Sequence, residues 1–104
     1  MTEQEEMNIF QLISAAGTAK SCYMEALQKA KEKNYDEAEA LIKEGDQSQV
    51  EGHRIHAEML SASAAAVESS ENLILVHAED QMMSAETIKI MVLELIEVYK
   101  KLDA

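Results

Sequence analysis

Proline is missing from this chain, and glycine occurs only three times. Helices can therefore run long, because these are the two residues that most often end them. Aromatic side chains are nearly as scarce: three tyrosines, one phenylalanine and no tryptophan. β-Branched residues are also sparse, so strands find little support. The single cysteine, Cys22, excludes an intrachain disulfide and favours a reducing compartment, with the thiol as a small buried apolar group. Lysine and arginine number 9 against 20 acidic residues, a formal charge of −11. That balance argues against nucleic acid and anionic membranes, both of which select basic surfaces. Apolar runs are cut by charges too early to span a bilayer. The opening Met1-Thr2-Glu3-Gln4-Glu5-Glu6 is acidic where a secretory signal is basic. The expected location is cytoplasmic, with no membrane insertion.

What is present is 47% apolar and spaced for helices. The 104 residues suit one domain, 1–104, with one core. Glu3, Glu5 and Glu6 favour a helix start. Ile9, Leu12, Ile13, Ala16, Tyr23, Leu27 and Ala30 then recur at helical spacing, predicting a first helix over about 4–32. Gly17 and Ala19 leave room for a neighbouring backbone. Asn34 suits the left-handed residue that ends this helix. Asp36 with Glu39 has capping-box spacing and opens a second helix over about 36–62, its stripe carried by Ala38, Leu41, Ile42, Ile55, Met59 and Leu60. Gly45, Ser48 and Gly52 make its middle thin, which permits close packing. Ser61 to Glu71 reads as a connection, or as an extension of the second helix. A third helix follows over about 71–102. The short first connection makes helices 1 and 2 antiparallel neighbours. The expectation is an all-α, up-down-up three-helix bundle.

The third helix is apolar at nearly every angle around its axis, from Ile88 to Leu102, more than two partner helices cover. A homo-oligomer centred on it is expected. His77 and Asp80 interrupt its apolar run three residues apart, as neighbours on a helix surface. Asp80 lies in the row Val76, Asp80, Met83, Thr87, Ile90. It sits either at a wet rim or, around a rotation axis, in a ring of carboxylates that a cation such as magnesium neutralises. His77 is either a structural histidine or a nucleophile. His53 and His56 have a spacing that suits a metal, but no cysteine or Glu-x-x-His accompanies them. Phosphate loops and nucleophile elbows are missing.

The segment Val76-His77-Ala78-Glu79-Asp80-Gln81-Met82-Met83 resembles the active-site segment of the lactose/cellobiose-specific enzyme IIA family of the bacterial phosphotransferase system (PTS), His-(Ala/Gly)-Gln-Asp-His-Leu-Met. The likeness extends over the whole chain. Ala16-Gly17-x-Ala19-Lys20-Ser21 with Glu25-Ala26-Leu27, Asn34-Tyr35-Asp36, Glu51-Gly52-His53 and Leu95-Ile96-Glu97-Val98-Tyr99-Lys100 fall in the family's order. The resemblance implies a homotrimer of three-helix bundles that carries a phosphoryl group. His77 matches the family's phosphoryl acceptor, and Asp80 its metal-binding aspartate near the trimer axis, with Mg2+ as the expected ion. The donor would be the phosphohistidine protein HPr. The acceptor would be the cysteine of a IIB component, during uptake of a cellobiose-, chitobiose- or lactose-type disaccharide. Two positions depart from the pattern: Gln81 replaces a histidine and Glu79 a glutamine.

Two other functions compete with the carrier. One is a non-catalytic helical adaptor or regulatory trimer that docks proteins through its acidic surface. The other is a metal-binding bundle built on His53, His56, His77 and Asp80.

Overall fold

The computed structural model describes residues 2–62 and 72–103 and folds them into three helices, with no strand among the described residues. They are α1 (Glu3–Lys31), α2 (Tyr35–Ala62) and α3 (Asn72–Asp103). Together they form an up-down-up bundle 54 Å long and 17 by 16 Å across. Of the Ser61–Glu71 connection, Ser61 and Ala62 belong to α2, and 63–71 lie outside the described residues.

Local chemistry sets the helix ends. Thr2 Oγ1 accepts from the Glu5 amide at 3.1 Å, and the Thr2 amide donates back to the Glu5 carboxylate at 3.2 Å, a complete capping box for α1. At the other end the left-handed residue is Lys33, with φ 66°, and not Asn34. The amide of Lys33 donates to the Ala30 carbonyl at 3.0 Å, and that of Asn34 to Lys29 at 2.8 Å. This is the Schellman closure, which needs the positive φ directly after the C-cap residue Glu32. Asn34 instead opens α2, its carbonyl accepting from the Ala38 amide at 3.1 Å. Asp36 consequently falls inside the first turn, where with Glu37 it faces the helix dipole rather than capping it.

α1 is the middle element: it packs along both other helices, while α2 and α3 scarcely approach each other. Its stripe of Ile9, Leu12, Ala16, Tyr23, Leu27 and Ala30 is buried, as is Cys22. Tyr23 is the largest fully buried side chain, and the thinness of α2 serves it directly. A Cβ on Gly45 would lie 2.6 Å from the Tyr23 ring. Gly17 does not act this way: it is exposed, and a Cβ there meets nothing within 4 Å. Leu60, placed in the α2 stripe by spacing, is 52% exposed, because it stands one position round the helix from Met59, which is buried against α1.

α3 buries Ala78, Met82, Ala85, Val92 and Ile96 against the bundle. Its other faces leave Val76, Met83, Ile90, Met91, Val98 and Leu102 at least half exposed. This exposed apolar surface is more than the other two helices of the bundle cover.

Candidate functional site

His77 and Asp80 both stand on the exposed side of α3. Among the described residues, neither side chain takes a hydrogen bond or an ion pair. Burial of Ala78 and Met82 against α1 fixes the rotation of the helix and turns the two polar groups outward. Leu73, 78% exposed, and Ile74, 37% exposed, lie one turn before His77 and give it an apolar rim. An accessible, unengaged imidazole is a competent nucleophile and base near neutral pH.

Polar bridges secure the helices around this segment. Lys20 on α1 donates from Nζ to Gln81 Oε1 at 2.6 Å. His56 Nε2 on α2 lies 2.6 Å from Glu79 Oε2, and His53 Nε2 lies 2.7 Å from Glu86 Oε1. Farther along, Lys89 Nζ reaches Asp46 Oδ1 at 2.8 Å, and the same oxygen accepts from the Tyr23 hydroxyl at 2.7 Å. Burial, then the bond to Asp46, pushes the Tyr23 hydroxyl above the usual tyrosine range. The His56–Glu79, His53–Glu86 and Asp46–Lys89 contacts form a ladder across the gap between α2 and α3, antiparallel in register, while Lys20–Gln81 joins α1 to α3. They also engage both positions that depart from the family pattern, Glu79 and Gln81.

His53 and His56 therefore face glutamates of α3, and not His77 or Asp80. Among the described residues, no group of three or more His, Cys, Asp or Glu side chains could hold a metal. The four-ligand metal site is not assembled. Cys22 is buried, and burial, followed by Glu44 and Glu25, holds its thiol above the ordinary range and so in the unreactive form.

Sequence reasoning did not single out Lys20 as a site neighbour, nor the His–Glu pairs. The signal available for the pairs was phase. Glu79 and Glu86 are seven residues apart on one face of α3, and His53 and His56 three apart on one face of α2.

No helix of the described residues is long and apolar enough to cross a membrane. A profile of the family described as "PTS system, Lactose/Cellobiose specific IIA subunit" matches residues 7–100. The oligo-beta-mannoside-specific EIIA component of Bacillus subtilis is 36% identical over 96 residues, which cover 92% of this chain and 87% of that protein. The lichenan-specific phosphotransferase enzyme IIA component of the same organism is 33% identical over 102 residues, with coverages of 98% and 93%. The crystal structure of the cellobiose-specific enzyme IIA from Bacillus anthracis superposes with a TM-score of 0.88 at 35% identity, covering 99% of this chain and 94% of that one. The Escherichia coli IIA(Chitobiose) chain, solved in complex with HPr, gives a TM-score of 0.85 at 29% identity, with both chains fully covered. The fold, the profile over nearly the whole length and these relatives together establish that the chain belongs to the lactose/cellobiose-specific IIA family of the phosphotransferase system.

Proposed function

We propose that this chain is a phosphoryl carrier in disaccharide uptake, with His77 as the acceptor. A lone-pair nitrogen of the His77 ring attacks the phosphorus of phospho-HPr. The new N–P bond forms as the donor's N–P bond breaks, and the departing donor ring keeps that electron pair. Onward transfer reverses the role of His77, whose ring leaves as the cysteine thiolate of IIB takes the group. Such transfers depend on in-line approach and charge neutralisation more than on covalent assistance. The observation that carries this reading is the exposed ring of His77, unbonded among the described residues, on a helix that gives it an apolar rim. The known HPr complex of a family neighbour supports HPr as the donor.

The exposed apolar faces of α3 support a homotrimer. Asp80, a carboxylate in the exposed row with Val76, Met83 and Ile90, would then contribute one ligand per subunit near the axis. A hard cation such as Mg2+ fits oxygen donors of this kind and would neutralise their mutual repulsion.

The test follows the label. Phosphate from phosphoenolpyruvate, with enzyme I and HPr present, should reach IIB only through this chain, and His77→Gln should block its passage. Label arriving on IIB at full rate through the His77→Gln chain would overturn the assignment.

A further inference from the structure

We propose that Lys20 supplies the positive charge that stabilises the phosphorylated state of His77, with Gln81 holding its ammonium one turn away. The inference deepens the carrier reading and rests on it.

Three observations converge on Lys20. First, its partner is unusual for this chain. Lys29, Lys33, Lys43, Arg54 and Lys89 each pair with a carboxylate. Lys20, half-buried, crosses from α1 to α3 and meets the neutral amide of Gln81 at 2.6 Å. In a protein of net charge −11, an ammonium held by a neutral group keeps its field uncancelled.

Second, the direction is right. Helical side chains lean toward the helix N-terminus. α1 and α3 run the same way in the up-down-up bundle, so Lys20 leans toward the part of α3 where His77 precedes Gln81. Side chains four apart on a helix are neighbours. Gln81 occupies one of the ammonium's three donors and leaves two.

Third, the approach is open. Gly17, one turn before Lys20, would have nothing within 4 Å of an added Cβ.

The need for such a charge is plain. A phosphoryl group adds roughly two negative charges. It does so here near Glu79, whose contact is with His56, in a chain of net charge −11. Lys20, bonded to Gln81 one turn from His77, is placed to offset it, and the amide of Gln81 holds it without neutralising it.

The experiment compares wild type, Lys20→Met, Lys20→Arg and Gln81→Glu at equilibrium with phospho-HPr, reading the phosphorylated fraction by intact mass and thermal stability alongside. Lys20→Met keeps the apolar stem and should lower the phosphorylated-to-free ratio by about tenfold, as expected for a charge-assisted contact. Lys20→Arg should restore most of it. Gln81→Glu should lower the ratio without lowering stability, because it captures the ammonium in an ion pair. A purely structural Lys20 predicts the opposite for Gln81→Glu, a tighter bundle with normal phosphorylation. Equal phosphorylation of wild type and Lys20→Met would overturn the role of Lys20 alone. A wild type that takes no phosphate would overturn the carrier reading and this assignment with it.

Discussion

His56 Nε2 sits 2.6 Å from Glu79 Oε2, joining α2 to α3 two residues beyond His77 in the chain. The helices scarcely touch there otherwise, so this bridge helps hold the His77 segment in place. The family pattern has glutamine at position 79, which could keep the hydrogen bond but not the charge. Glu79→Gln should therefore change stability by less than about 1 kcal/mol, since partly exposed pairs contribute little as ion pairs. Glu79→Ala should cost about 1 kcal/mol, because the bond itself is lost. Amide exchange over residues 73–83 should speed up in Glu79→Ala and stay unchanged in Glu79→Gln. Equal exchange in both variants would mean the bridge does not hold the segment.

Gly45 and Gly52 are both on α2 and both buried, yet alanine should act on them in opposite directions. A Cβ at Gly45 would stand 2.6 Å from the fully buried Tyr23 ring, which must move. Overpacking of this kind costs roughly 1–3 kcal/mol and outweighs the helix-propensity gain of alanine. At Gly52 the nearest atoms, on Ala15 and Leu12, are 3.6 Å away, an ordinary contact. Gly52→Ala should stabilise by about 0.5–1 kcal/mol. Denaturant midpoints at one fixed protein concentration check both signs.

Lys33 holds a left-handed backbone at φ 66° that glycine adopts freely and a side chain with a Cβ does not. Its ion pair with Asp103 is solvent-exposed and adds little in return. Lys33→Gly should raise the melting temperature by a few degrees. Lys33→Val, β-branched in the same backbone, should lower it.

Asp80 gives the assembly a chemical handle. If three copies share a cation, chelation should shift wild type from trimer toward monomer in native mass spectrometry. Asp80→Asn should make the trimer indifferent to chelator, because the repelling charges are gone. A wild-type trimer unmoved by chelator, or a monomer under all conditions, would contradict this role of Asp80.

Much of the fold was legible because helical periodicity reports burial on a single helix. Ile9, Leu12, Ala16 and Tyr23 were read from spacing and are buried. The surplus apolar surface of α3 was equally visible as residues with nowhere to go. Relations between helices were not legible. Lys20 and Gln81 are 61 positions apart, and no period along one helix specifies the register of another. The glycines show the same gap. Composition marked Gly17 and Gly45 alike, but only packing shows that one faces open space and the other the Tyr23 ring. At the first turn, Asn34 was the better left-handed candidate by propensity, but the short connection needed its carbonyl to open α2 and left Lys33 with the positive φ. His77 and Asp80 were visible as polar residues in an apolar run, whereas the groups that hold their surroundings had to be found in three dimensions.

The most direct measurement is the intact mass of the chain after incubation with enzyme I, HPr and phosphoenolpyruvate, for wild type and His77→Gln. Wild type should gain roughly 80 Da, one phosphoryl group, lost on mild acid treatment and missing from the mutant. A folded wild type that gains no mass, or a His77→Gln protein that gains the same acid-labile group, would contradict the carrier reading.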